Sequence, residues 1–258
     1  MLINRKVKPP GLKPVNNRHT ANYISMKKKK DKISPYVAAM IIGACLVVAT
    51  AWIGLLMSDH RVVEEPYTES TRDVQSTGGY QIKSEVADFT LKNIDDQTVS
   101  LSRYASGKGV IIVFTCNHCP FAKAYEDRIQ ALDTKFRQEG FPVVAINPTD
   151  PTVYEEDSFS KMKQRAQSKS YSFPYLADDT QEVARRFGAT KTPHLFILSN
   201  DNGKFIVEYI GAIDDNPQDP SGVKRRYAEE AVSNLLSGKP VATSLTKAIG
   251  CVIKWKDA

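Results

Sequence analysis

The sequence predicts an α/β domain over residues 84–258, with a mixed central sheet and helices on both faces. Residues 109–114 form an unbroken apolar run after Gly109, which is typical of a central strand covered on both sides. The segment that follows repeats apolar residues at helical spacing up to Phe136. Further strand and helix patterns then succeed one another along the chain, as they do in layered α/β domains.

The other elements follow from the same two periodicities. Alternating runs on either side of the polar segment 93–96 predict an N-terminal β-hairpin. A last alternating run, 252–255, predicts an extended strand laid back on the domain. In chain order we expect strands at 87–91, 98–101 and 109–114, a helix ending at 136, a strand at 141–146, helices at 155–169 and 180–187, strands at 194–198 and 204–210, and a helix at 223–236.

Three segments precede this domain. Residues 1–34 hold ten Lys or Arg and one Asp, and form a basic tail. Residues 35–57 include 22 uncharged positions, 36–57, which at ~1.5 Å per residue can cross a ~30 Å hydrocarbon core as one transmembrane helix. Residues 58–83 are polar and predict a flexible linker. A cleaved signal peptide and a lipidated Cys45 are the alternatives to an anchor.

The charges that flank the apolar run predict its orientation. Five lysines lie between residues 27 and 32, whereas Asp59-His60-Arg61 follow the run. The positive-inside rule then places the tail in the cytosol and the C-terminal domain outside the cytoplasmic membrane, where disulfides persist. Beyond residue 34 the chain carries 25 basic and 28 acidic residues. The net charge of +6 therefore comes from the tail and gives little support to a nucleic-acid partner.

Cys116-Asn117-His118-Cys119 joins the central strand to the helical segment. Two cysteines three apart at such a junction are arranged for thiol–disulfide chemistry. Because the N–H groups and dipole of a helix start favour negative charge, Cys116 is expected to be the exposed, low-pKa thiol. Cys119, one turn further in, is close enough to form a disulfide with it. Two structural thiols, or half of a zinc site, are the alternatives, although no second ligand pair follows.

With this motif in place, residues 84–258 resemble the thioredoxin fold in its larger variety, which includes membrane-tethered thiol–disulfide proteins and peroxiredoxin-like redoxins. Lys191-Thr192-Pro193 before a strand, and Ile210-Gly211-Ala212 at the end of another, carry the resemblance together with the cysteines. The resemblance implies a cis-proline at Pro193 beside the dithiol, a substrate groove at Gly211, and an inserted strand–helix unit between Cys119 and Pro193. The terminal segment 250–255 resembles, more narrowly, a bacterial thioredoxin-family subgroup.

Two histidines adjoin the expected site. A histidine just before the second cysteine resembles disulfide isomerases and oxidases, and an imidazolium there would stabilise the Cys116 thiolate and make the disulfide more oxidising. The alternative for His118 is a loop residue with no effect. His194, which follows Pro193, is expected either to face the dithiol or to be a satisfied residue at the strand start.

The resemblance implies a membrane-anchored thiol–disulfide oxidoreductase that acts on protein thiols and disulfides outside the cytoplasmic membrane. Cys116 forms the mixed disulfide and Cys119 resolves it. Thr192 and Pro193 would hold the partner chain by backbone pairing. No cofactor and no metal are expected, because an unidentified redox partner protein supplies the electrons, and the bilayer is contacted through residues 36–57.

Three other functions remain open. A thiol peroxidase of the redoxin type would use Pro-x-x-x-Thr-x-x-Cys, but neither Cys116 nor Cys119 has the threonine or the proline at that spacing. A copper-binding chaperone would draw on the two cysteines and two histidines, although such proteins space their cysteines one residue further apart. A tethered interaction module could retain the fold without the chemistry.

Cys251 is the remaining cysteine of the domain. It is expected to be a buried apolar thiol under Trp255, a possible third redox thiol that exchanges with Cys116 or Cys119, or one half of an intermolecular bridge. A third redox thiol requires its Cα to lie within about 7 Å of the partner cysteine.

Overall fold

A computed structural model describes residues 78–256. The expected basic tail 1–34, the transmembrane helix 35–57 and most of the linker 58–83 lie outside the described residues. Between residues 78 and 256, no helix has the length and apolar character that crossing a bilayer requires.

The strands are β1 Glu85–Val86, β2 Thr90–Asn93, β3 Thr98–Ser100, β4 Gly109–Phe114, β5 Val143–Asn147, β6 Tyr175–Ala177, β7 Lys191–Thr192, β8 His194–Asp201, β9 Lys204–Gly211 and β10 Cys251–Val252. The α-helices are α1 Pro120–Phe136, α2 Phe159–Lys169, α3 Glu182–Phe187 and α4 Tyr227–Leu236.

Eight strands form one mixed sheet, in the order β1-β9-β8-β4-β5-β6-β2-β3. β4, β5 and β6 run parallel, and the other neighbours pair antiparallel. β7 and β10 pair antiparallel as a separate two-stranded sheet. The sheet confirms the mixed α/β class, and the β2–β3 pair confirms the N-terminal hairpin.

Side chains of β4 alternate between the two faces, and each face has its own apolar core. Ile111 and Val113 pack with buried residues of α1, α2 and α4. Ile112 and Phe114 pack with buried residues of α3 on the opposite face. Helices therefore cover both faces, which explains why β4 is apolar at every position after Gly109.

Several expected elements have other bounds in the structure. The expected strand 87–91 is realised only at its end, because residues 87–89 are not in a strand and β2, which pairs with β3, begins at Thr90. β1, which pairs with β9, precedes the expected strand at residues 85–86. The expected helix 155–169 is a 3-10 turn, Glu155–Asp157, followed by α2. The expected helix is interrupted after Asp157 because this residue points inward, where its carboxylate binds the cysteine segment. β6, which the sequence analysis missed, has only three residues, too few for a visible period.

The helices at 180–187 and 223–236 both begin later than expected. α3 begins at Glu182, after Gln181 has adopted a left-handed conformation, and ends at Phe187 as expected, where Gly188 caps it in a left-handed conformation. α4 begins at Tyr227, because the 3-10 turn Pro220–Gly222 and the extended residues after it precede the helix. The strand expected from the alternating run 252–255 is shorter and lies earlier in the structure, because β10 is Cys251–Val252 and shares only Val252 with that run.

Phe187 is a sensitive point of the fold. Its ring is fully buried and makes edge-to-face contacts with the rings of Tyr80, Phe89, Phe114 and Phe196. We predict that Phe187→Ala lowers the free energy of unfolding by about 3–5 kcal/mol, as buried aromatic truncations do. Chemical denaturation measures this change. Val153→Ala, at an exposed valine, should cost less than about 0.5 kcal/mol, and equal costs at both positions would contradict this account of the core.

Candidate active site

The cysteine motif lies at the carboxyl end of β4, where a loop reaches it from the neighbouring strand. β4 pairs antiparallel with β8 in a register that sets Phe114 opposite His194. Residues 115–119 continue from β4, and Thr192 and Pro193 directly precede His194. The Thr192–Pro193 peptide bond is cis, as expected. The sheet therefore brings both predicted segments to the same edge.

Thr192 contacts both sulfur atoms of the motif. Its Oγ1 lies 3.0 Å from Sγ of Cys116. Its carbonyl oxygen lies 3.2 Å from Sγ of Cys119. Both cysteines are buried beside Ala122, in the first turn of α1. The sequence analysis assigned Thr192 to holding a partner chain, and did not anticipate its contacts with the sulfurs.

Cys119 is disulfide-bonded to Cys251, with the two Cα atoms 6.0 Å apart, and Cys116 is a free thiol. The expected Cys116–Cys119 disulfide is therefore not the one that this structure contains. A free Cys251 thiol under Trp255 is not present either, since Cys251 is bonded and the Trp255 ring packs against the Arg185 guanidinium.

Cys116 is not the exposed, low-pKa thiol that the sequence predicts. It is only 3% exposed, and burial raises the pKa of its thiol to about 11. The Thr192 hydroxyl opposes this rise in the Cys116 pKa, and the nearby Asp157 carboxylate adds to it. The expectation failed because it considered the helix start and not the removal of the sulfur from water, which is the main cause of the raised pKa. In addition, α1 begins at Pro120, so that Cys119, and not Cys116, is the residue at the helix N-terminus.

His118 interacts with an acidic residue that the sequence analysis did not select. Its Nδ1 lies 2.5 Å from Oδ2 of Asp157, and its ring stacks on Tyr154 with the centroids 3.7 Å apart. A His118 ring nitrogen, an Asp157 carboxylate oxygen and the Cys116 sulfur lie within 4.8 Å of one another. The Asp157 carboxylate therefore orients the imidazole beside the free thiol. The effect of His118 on the redox potential stays a prediction.

Asp157 also fixes the backbone of the cysteine segment. Its Oδ1 accepts hydrogen bonds from the backbone N–H of Asn117, at 2.5 Å, and from Nδ2 of Asn147, at 2.9 Å. The Tyr175 hydroxyl donates to Oδ1 of Asn117 at 3.0 Å and accepts from Asn147 at 3.2 Å. Burial, with the nearby Asp157 carboxylate, holds the pKa of Tyr175 well above its usual range, so the hydroxyl stays a donor.

The only signal of this network in the sequence is the acidic triplet that ends at Asp157, which lies at the start of the expected helix 155–169. Nothing in the sequence indicates that this carboxylate is 3% exposed or that it lies beside the motif. The two asparagines and Tyr175 carry no periodicity that would set them apart.

The two-cysteine, two-histidine set of the copper hypothesis does not assemble. Cys119 is held in its disulfide, and Nδ1 of His194 accepts from the backbone N–H of Thr190 at 3.4 Å. Cys116, His118 and Asp157 do bring three potential ligand atoms together. A metal ion there would have to replace the His118–Asp157 hydrogen bond, and the other carboxylate oxygen already accepts two donors.

His194 and Gly211 lie in different surroundings. His194 is buried, its ring lies 4.7 Å from that of Phe196, and burial lowers its pKa to about 4. It thus matches the alternative of a satisfied residue at the strand start. Gly211 has φ +146°, and a Cβ there would lie 2.1 Å from Oγ1 of Thr246. The expected groove residue is therefore covered by the C-terminal segment.

The chain is similar to redox proteins of several kinds. Residues 82–214 match the model of the AhpC/TSA family. Thiol-disulfide oxidoreductase ResA of Halalkalibacterium halodurans is 22% identical over 129 residues, 50% of this chain and 68% of that protein. Peroxiredoxin Q of Populus jackii is 30% identical over 39% of this chain and 43% of its own length. The crystal structure of an uncharacterized conserved protein from Geobacillus kaustophilus has a TM-score of 0.65 and 36% identity, and the match covers 69% of this chain and 94% of that chain.

The raised pKa predicts how Cys116 reacts while Cys119 and Cys251 are bonded. With a pKa of about 11, roughly one molecule in ten thousand carries the thiolate at pH 7, so the alkylation rate should still be rising at pH 10. Because its hydroxyl lowers this pKa, Thr192→Val should move the midpoint upward. Iodoacetamide kinetics against pH measure the midpoint. Thr152→Val, which removes a hydroxyl bound to Asp150, should leave it unchanged, and a wild-type midpoint below 9 would contradict the assignment.

The buried His194 predicts a loss of stability in acid. Its folded-state pKa of about 4 lies below the unfolded value near 6.5, so the unfolded chain takes up the proton first. Stability should therefore be fully present above pH 6.5 and should fall by about 3 kcal/mol between pH 6.5 and 4. His194→Gln, which does not titrate, should flatten this part of the denaturation profile. A profile with the same slope in both proteins would exclude His194 as its source.

Proposed function

The chain belongs to the AhpC/TSA family, and from that premise we propose that it exchanges thiols and disulfides with proteins through Cys116 and Cys119. The family confirms the redoxin resemblance drawn from the sequence and the class of enzyme, a thioredoxin-like oxidoreductase. The proposal adds the protein substrates, the roles of the two cysteines and the compartment.

The contacts of Thr192 carry the proposal. Its hydroxyl lies at the Cys116 sulfur and its carbonyl at the Cys119 sulfur. On its other edge, Thr192 pairs antiparallel with an extended segment of the chain. An extended peptide that pairs with this edge of Thr192 would lie next to the sulfurs of Cys116 and Cys119. Peptide substrates are bound in this way when they add a strand to the edge of a sheet. This arrangement supports a protein substrate over a small molecule.

In the proposed reaction, the Cys116 thiolate attacks a substrate disulfide and forms a mixed disulfide, while the second substrate sulfur leaves. The thiolate of Cys119 then attacks the Cys116 sulfur and releases the reduced substrate. Thr192 donates its hydroxyl to the Cys116 thiolate, and Asp157 holds His118 beside the same sulfur. The same steps in reverse order oxidise a substrate dithiol, with the same mixed disulfide as the intermediate.

A thiol peroxidase is the second candidate, because one observation favours it. The Thr192 hydroxyl lies at the Cys116 sulfur, as a peroxidase needs, although it comes from the cis-proline loop and not from three residues before the cysteine. The similarity to peroxiredoxin Q points the same way. In this function Cys116 would attack hydrogen peroxide, release water and become a sulfenic acid, which Cys119 then resolves.

We further propose that the domain acts outside the cytoplasmic membrane, held there by residues 36–57. The charge asymmetry around this run supports the orientation, and the oxidising compartment would allow the Cys119–Cys251 disulfide to persist.

Trapping variants test the roles of the two cysteines. Cys119→Ser should accumulate mixed disulfides with partner proteins, because Cys116 can form the bond but Cys119 can no longer resolve it. Cys116→Ser should accumulate none. Non-reducing electrophoresis of cells treated with acid and an alkylating agent measures the trapped species. Equal trapping by both variants would contradict the roles.

The same proteins distinguish the two candidate functions. The reduced wild-type chain should reduce insulin disulfides in the presence of dithiothreitol, and should consume hydrogen peroxide no faster than Cys116→Ser does. Peroxide consumption that depends on Cys116, with no insulin reduction, would replace the exchange proposal by the peroxidase.

Reporter fusions test the compartment. Alkaline phosphatase fused after residue 80 should be active and green fluorescent protein dark, because the lysines before residue 33 hold the tail in the cytosol. Enzymatic activity and fluorescence in intact cells are the measurements. The opposite pattern would place the domain in the cytosol.

A further inference from the structure

The C-terminal segment, residues 244–253, lies along the groove that the sequence assigned to the substrate. At one end, the backbone N–H of Ile210 donates to the carbonyl of Ser244, and the N–H of Thr246 donates back to the carbonyl of Ile210. At the other end, Cys251 pairs with Thr192, the residue before the cis-proline. The segment thus bridges the two expected walls of the groove.

Two glycines permit this close contact, one on each side. A Cβ at Gly211 would lie 2.1 Å from Oγ1 of Thr246. A Cβ at Gly250, in the segment, would lie 2.1 Å from the carbonyl oxygen of Thr192. Both distances are far below van der Waals contact, so any larger residue would force the segment away. The C-terminal segment therefore fits closely against the groove of its own domain.

Within this segment, Cys251 lies on the edge of Thr192 along which a bound peptide is proposed to lie. It pairs with Thr192 and is bonded to Cys119, which leaves Cys116 free and buried. The region that matches the family model ends at residue 214, before this segment begins. Cys251 therefore lies outside the region that the family model matches.

We propose that residues 244–253 are a substrate-like segment built into the enzyme, and that Cys251 is a third redox thiol that takes over the disulfide from Cys116. The proposal rests on the proposed thiol–disulfide exchange. After the substrate has been reduced, Cys116 and Cys119 are joined. The Cys251 thiolate then attacks the Cys119 sulfur, the Cys119–Cys251 bond forms, and Cys116 leaves as a thiolate that takes up a proton.

The relay transfers two electrons. The substrate disulfide gains them, Cys119 and Cys251 lose them, and Cys116 returns to the thiol. The structure corresponds to the end of the relay. Burial then keeps Cys116 protonated at neutral pH, which slows its return attack on Cys119. A dithiol reductant must open the Cys119–Cys251 bond before the segment can leave the groove and a new substrate can enter.

The order in which the two disulfides form tests the relay. The fully reduced, full-length chain is mixed with one equivalent of oxidised insulin or of diamide, quenched with acid at intervals, alkylated and mapped by mass spectrometry. The wild type should show Cys116–Cys119 first and Cys119–Cys251 later. Cys251→Ser should stop at Cys116–Cys119. Val153→Ser, at an exposed position outside the segment, should behave as the wild type.

Each outcome decides between defined alternatives. A wild-type map that remains at Cys116–Cys119, with Cys251 alkylated throughout, overturns the relay. So does direct formation of Cys119–Cys251 at the same rate in the wild type and in Cys116→Ser, because the bond is then only structural. If diamide produces the two disulfides in order but insulin produces neither, the relay stands and the proposed protein substrates are excluded.

Occupation of the groove gives a second readout. Amide hydrogen exchange at Thr246 and Ile253, whose N–H groups donate to the body of the domain, should accelerate at least tenfold when dithiothreitol reduces the wild type. In Cys251→Ser, exchange at these amides should be fast with or without the reductant. Protection that is unaffected by reduction would overturn the substrate-like role of the segment.

Discussion

The antiparallel pairing of β4 with β8 is the constraint on which the site depends. Its register sets the end of β4 opposite the start of β8, so the residues beyond each end have to meet. One extension carries Cys116 and Cys119, and the other carries Thr192 and cis-Pro193. A shift by one residue would turn every β4 side chain to the opposite core, where it is not packed, so the packing of the two apolar cores maintains the geometry of the site.

The second constraint is the buried carboxylate of Asp157. Three donors converge on it, from the Asn117 backbone, from Asn147 and from the ring of His118. A buried carboxylate is stable only when its oxygens are satisfied, so these donors and Asp157 hold one another in place. The chain accommodates the inward carboxylate by breaking between the 3-10 turn and α2. The 3-10 turn Glu155–Asp157 thus supports the cysteine segment directly.

Much of the fold was predictable from local patterns, and the chemistry of the site was less so. The run 109–114 and the hairpin turns depend on neighbouring residues, and the structure has them where they were expected. The burial of Cys116, the inward carboxylate of Asp157 and the partner of Cys119 depend on segments 40 to 132 residues apart, which no local period encodes. The pKa of Cys116 was predicted in the wrong direction for this reason: helix position was considered, and desolvation was not.

The burial of Cys116 and its proposed reactivity are compatible only if the site changes state. A thiol that is 3% exposed cannot reach a protein disulfide, and burial opposes its ionisation. Phe121 and Cys251 are the partly exposed apolar residues that pack against the two cysteines, and Cys251 is held by a bond that a reductant can break. The strand β10 adds only two residue pairs to β7, so it contributes few hydrogen bonds once that bond is open. Reduction would then uncover the sulfur and restore water around it, which lowers the cost of forming the thiolate. The same disulfide that fills the groove would thus determine when Cys116 can react.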